Sequence, residues 1–93
     1  MAIFIKQLTT TRFEVIVTSK ITTKHIVTVS HKAYKEFTLG QITKEQFVKK
    51  SFLFLLQREP NTAILKEFNI ETIEKYFPEF RKIGELAWIN IGV

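Results

Sequence analysis

The chain contains no cysteine and no aspartate, and has only three glycines and two prolines among its 93 residues. The missing cysteine excludes disulfides, thiolate zinc sites, iron–sulfur clusters and a cysteine nucleophile, and it gives no sign of an oxidising compartment. Without aspartate, every side-chain carboxylate is one of nine glutamates, which argues against a calcium loop or a magnesium site built on aspartates. No apolar run approaches the roughly 18–20 residues that cross a bilayer. The first residues, MAIFIKQLTTTRF, carry neither a long apolar region nor a small-residue cleavage site. Together these absences predict a soluble, cytoplasmic protein with no membrane association. No sequence feature calls for a cofactor, and no catalytic, metal or nucleotide motif stands out, so the expectation is a non-enzymatic protein.

What is present is an apolar C-terminal half. A chain of this length makes one domain, 1–93, and buries roughly 60–65% of its unfolded surface, enough for a modest core. The stretch from Thr43 to Phe80 holds most of the large apolar side chains. Thr43 followed three residues later by Gln46 is a capping box, so a helix is expected to start at Lys44, with Ile42 packing back on Phe47 as a staple. The run Ser51–Leu56, SFLFLL, is apolar around nearly the whole helical circumference, which marks a central core helix. Pro60 ends it by Glu59.

Beyond Pro60 the spacing of Ile64, Leu65 and Phe68 predicts a short helix over 62–68, capped by Asn61 or Thr62. Ile70, Ile73, Tyr76 and Phe77 predict another over 71–77, and a last one is expected over 79–86, with Arg81 and Glu85 paired. Upstream, RFEVIVT (12–18) and KHIVTVS (24–30) alternate with period two and read as an antiparallel hairpin over about 12–30. A third strand is expected from residues 3–8 or from the C-terminal AWINIGV. Ser30 is placed to cap a helix over 31–38, with Gly40 closing it in a left-handed conformation. The expected fold is therefore α+β: a two- or three-stranded antiparallel sheet packed on three or four short helices around the apolar helix 44–58.

From Phe52 to Phe80 the sequence resembles a group of short bacterial proteins of unknown function. Their C-terminal half carries a segment like FLLxREPNTxILxxF, an isoleucine and a YFPE element. The matching residues are Phe54, Leu55, Leu56, Arg58, Glu59, Pro60, Asn61, Thr62, Ile64, Leu65, Phe68, Ile73, Tyr76, Phe77, Pro78 and Glu79. The first half is less similar, essentially FEV at Phe13–Val15 and a second strand near Val29. The resemblance implies one complete small protein and no particular activity.

Charge supplies one functional lead. Residues 1–50 hold nine lysines and arginines against Glu14, Glu36 and Glu45, whereas residues 51–93 are close to neutral, and the whole chain carries +5. Arg12, Lys20, Lys24, Lys32, Lys35, Lys49 and Lys50 are the candidate surface for a protein or nucleic-acid partner. The competing reading is a solvated, lysine-rich face, in a composition that favours lysine over arginine as an AT-rich genome would. No RNA-recognition or zinc-finger pattern is present. A helix-turn-helix over 31–58 would have SFLFLL in the middle of its recognition helix, which does not suit a DNA groove.

Arg58, Glu59, Asn61 and Thr62 form a second candidate, a polar turn between two apolar segments. Each residue also has a structural role open to it: Arg58 at the carbonyl end of the core helix, Glu59 on local donors, Asn61 or Thr62 as a cap. His25 and His31 are too poorly placed by spacing to make a metal pair. Ser19, Ser30 and Ser51 lack a nucleophile context, and Glu59 and Glu79 are the carboxylates a general base would come from. The leading reading is a small interaction module that binds a protein partner, either another protein or a second copy as a homodimer, through an exposed sheet edge or the apolar tail at Trp88, Ile89 and Ile91. Nucleic-acid binding by the basic half is second.

Overall fold

The computed structural model describes residues 1–81. Among these described residues four strands form one mixed sheet in the order β1-β2-β3-β4, where β1 is Ala2–Gln7, β2 Arg12–Thr18, β3 Thr23–Thr28 and β4 Glu67–Asn69. The first three are antiparallel neighbours, and β4 lies parallel to β3. Helices α1 (His31–Thr38), α2 (Lys44–Leu56) and α3 (Thr72–Tyr76) contribute buried side chains to a single core with the inner face of the sheet.

The α+β class is as the sequence predicts, but the described sheet has four strands rather than two or three and is mixed rather than wholly antiparallel, because residues 67–69 run extended and pair parallel to β3. Alternation in RFEVIVT buries Phe13, Val15 and Val17 and turns Glu14, Ile16 and Thr18 outward; opposite them His25 and Val27 are buried from β3. The third strand comes from the N-terminal segment. The alternative source, AWINIGV, lies outside the described residues, as do the tail residues Trp88, Ile89 and Ile91 and the Arg81–Glu85 pairing. Among the described residues Arg81 pairs with Glu74 at 2.5 Å.

The signals at the starts of α1 and α2 hold in detail. Gln46 N–H donates to the Thr43 hydroxyl at 3.1 Å and Thr43 N–H to the Gln46 side chain at 2.9 Å, so both halves of the capping box form. Ser30 caps α1 by accepting from Ala33 N–H at 3.1 Å. At the other end of α1 the left-handed turn begins one residue early, at Leu39 (φ 55°), and continues through Gly40 (φ 73°). A non-glycine residue rarely takes this conformation. Here Leu39 N–H donates to the Lys35 carbonyl at 2.9 Å and Gly40 N–H to the Thr38 hydroxyl at 3.1 Å. Helix α2 ends at Leu56, not at 58, and Leu53 in the middle of SFLFLL is 43% exposed, so its circumference is not wholly covered. No helix among the described residues is long and apolar enough to cross a membrane.

The clear departure is at 62–68. In place of a helix the chain makes a single 3-10 turn, Asn61–Ala63, and then runs extended into β4. Two long-range contacts override the helical spacing. Ile26 N–H donates to the Lys66 carbonyl at 2.7 Å, and the buried His25 ring donates through Nδ1 to the Leu65 carbonyl at 2.7 Å. Because a carbonyl can only accept, this bond places a proton on Nδ1, and in the neutral ring Nε2 accepts from the Thr23 hydroxyl at 2.8 Å. Phe68 then comes to lie on Phe52 of α2, ring centroids 6.0 Å apart. Helix 71–77 shortens to Thr72–Tyr76, and residues 79–81 are helical, the described part of the helix expected over 79–86.

Candidate interaction surface

Among the described residues the first strand stands at an edge of the sheet. Leu8 N–H donates to the Arg12 carbonyl at 2.8 Å, and Ala2 N–H reaches the Thr18 hydroxyl at 3.2 Å, so the even-numbered residues direct their amides towards β2. In an antiparallel ladder the direction alternates with every residue. The odd-numbered residues Ile3, Ile5 and Gln7 therefore present N–H and C=O groups on the side away from β2. Among the described residues β1 has one strand neighbour, β2. The side chains alternate in the other sense: Ile3 and Ile5 lean inward, partly buried against the core, while Ala2, Phe4 and Lys6 belong to the outer face. Phe4 is 58% exposed at the centre of the strand. Proline, glycine and bulges, the usual protections of such an edge, do not occur in β1; Lys6 is its one charged side chain. The opposite edge is shorter, three residues of β4.

The basic residues expected to form a surface are divided between layers. On the sheet, Lys24 pairs with Glu14 at 3.1 Å and Arg12 reaches Glu67 at 3.5 Å, while Lys20 sits exposed on the loop between β2 and β3. Lys32 and Lys35 lie on α1, Lys49 and Lys50 on α2. The register puts Lys24 opposite Ile16 and Arg12 opposite Thr28, four residues apart along β3. Such exposed ion pairs add little to stability, but they do lower the local positive potential.

The polar turn is also divided. Arg58 does close α2, donating from Nη1 to the Phe54 carbonyl at 3.1 Å, with its guanidinium 3.6 Å from the Phe54 ring centroid and Nε 3.4 Å from Glu79. Asn61 does not cap a helix. It is buried and points to the sheet, where Nδ2 donates to the Ile21 carbonyl at 2.8 Å and the Thr23 hydroxyl at 2.9 Å. A directed chain results, from Asn61 to Thr23 to His25 to the Leu65 carbonyl, tying the β2–β3 loop, β3 and the approach to β4 together. Thr62 is exposed beside it. Glu59 faces the other way, into an apolar groove of about 180 Å³ between the end of α2 and α3, lined by Leu55, Ile64, Phe68, Ile73 and Phe77.

Neither lead towards catalysis comes together among the described residues. His25 is buried with both ring nitrogens engaged, His31 is exposed at the start of α1, and the groove at Glu59 contains no histidine. Among the described residues no three histidine or glutamate side chains gather.

Sequence reasoning named a sheet edge but not its residues. Residues 3–8 alternate only loosely and suggest no more than a candidate third strand; that this strand, rather than a neighbour, stands outermost among the described residues depends on the register with β2. Comparison with protein-family models, with curated proteins and with solved structures finds no match for the chain.

Proposed function

We propose that this chain is a non-enzymatic protein-interaction module whose working surface is the outer edge of β1, and that a partner binds it by adding an extended strand to the sheet. The observation that carries this reading is the set of outward N–H and C=O groups at Ile3, Ile5 and Gln7, next to the exposed ring of Phe4. Main-chain groups on such an edge supply affinity, and the alternating side chains supply specificity. A cytoplasmic location accords with the absence of cysteine. The distribution of the basic residues over two layers, with Lys24 and Arg12 on glutamates, favours protein binding over nucleic-acid binding.

Amide hydrogen exchange in dilute solution tests the edge directly. Phe4, Lys6 and Leu8, bonded to β2, are expected to be protected, while Ile3, Ile5 and Gln7 exchange markedly faster. Equal protection of both sets would mean that the edge is already covered within the chain, and the reading fails.

A further inference from the structure

Resting on that reading of β1, we infer that the partner strand is β1 of a second copy, paired antiparallel about a two-fold axis that passes through Phe4. Two identical strands meeting edge to edge must align their outward groups, so odd residues pair with odd residues and even with even. That condition leaves few registers. With the axis at Phe4, Ile3 stands opposite the partner's Ile5, Ile5 opposite the partner's Ile3, and Phe4 opposite the partner's Phe4. Every central pair is then apolar. The two half-buried isoleucines extend the core layer across the axis, and the exposed phenylalanine meets its equivalent in a non-hydrogen-bonded pair, where side chains approach closest.

Charge selects the same register. Lys6 is the strand's only ionisable side chain, and with the axis at Phe4 it lies beside the partner's Ala2, four residues from the partner's Lys6. Moving the axis to Ile5 puts Ile3 against the partner's Gln7 and leaves the two lysines diagonal neighbours, about 7–8 Å apart. Moving it to Lys6 sets them face to face. An axis at Ile3 shortens the overlap. The dimer would carry a continuous sheet with twice the four strands described in one chain. The interface is isologous, as closed two-fold assemblies require.

A chain without cysteine permits a direct test. Phe4→Cys and Lys6→Cys, both at exposed positions, are oxidised in a glutathione buffer separately and mixed, and the products are resolved without reductant. The inferred register brings the two position-4 side chains within disulfide reach, since Cα atoms of a non-hydrogen-bonded pair are about 4.5 Å apart and a disulfide accepts about 4.4–6.8 Å. Phe4→Cys is expected to form a covalent dimer rapidly, Lys6→Cys to remain monomeric, and the mixture to give little heterodimer. A heterodimer of the two variants as the main product overturns the Phe4 axis in favour of the Ile5 axis, and leaves the edge reading standing. Equal, slow cross-linking of both variants, with the unmodified chain monomeric and the Ile3, Ile5 and Gln7 amides exchanging freely, overturns the second copy as partner while the edge remains open. Protection of those amides in a monomer overturns the edge itself.

Discussion

Phe52→Ala is expected to lower the unfolding free energy by about 3–5 kcal/mol, a large part of the ~5–15 kcal/mol that a domain of this kind possesses. Phe52 has no exposed surface and lies between the two layers, with the His25 ring 5.4 Å and the Phe68 ring 6.0 Å from its own. Removing it opens a cavity against β3 and takes away what Phe68 of β4 packs on. The loss should appear as a lower denaturant midpoint with the slope unchanged, and as a fall in melting temperature on the order of 20 °C. Leu53→Ala on the same helix is the control. Leu53 is half exposed, and its removal should cost about 1 kcal/mol or less. Similar losses for the two variants would mean that α2 does not turn this face to the sheet.

The second large effect is expected at Asn61, and one substitution separates its two readings. At a helix N-cap, aspartate serves as well as asparagine. In the structure the Asn61 amide is a donor, to the Ile21 carbonyl and the Thr23 hydroxyl, with the Val17 carbonyl also nearby at 3.5 Å. Asn61→Asp would bury a carboxylate facing carbonyl oxygens, which only accept. A loss of roughly 3 kcal/mol or more is expected, exceeding that of Asn61→Ala, where two acceptors are merely left unpaired at about 1–3 kcal/mol. Chemical denaturation of the three proteins measures the order. A neutral Asn61→Asp would restore the capping role.

That residue also marks where the sequence stops being informative. The capping box at Thr43 and Gln46, the Ser30 cap and the alternation in RFEVIVT are local patterns, and each appears where it was expected. The segment 61–69 is different, because Ile64, Leu65 and Phe68 fit a helix by spacing as well as they fit an extended chain. The choice is made elsewhere, by His25 and the Ile26 amide on β3, about 40 residues away along the chain. No window of sequence contains both partners. The same limit applies to the candidate surface. Arg12, Lys20 and Lys24 look like one basic cluster in sequence, yet pairing with Glu67 and Glu14 is set by strand register, and so is the position of β1 at the edge.

The division of roles along β1 is specific enough to be tested with one residue. Ile5 directs its N–H away from β2, so proline there removes an edge donor without removing a bond of the β1–β2 ladder. Circular dichroism of the Ile5→Pro variant checks that the sheet persists. Sedimentation equilibrium of the wild-type chain and of Ile5→Pro, over a wide dilution series at low and at high salt, then tests whether the edge of β1 carries association. The expected result is a monomer–dimer equilibrium for the wild type that changes little with salt, as main-chain hydrogen bonds and apolar pairs require, and a monomer for Ile5→Pro under the same conditions. A dimer that survives Ile5→Pro, or a wild type that stays monomeric throughout, would contradict it.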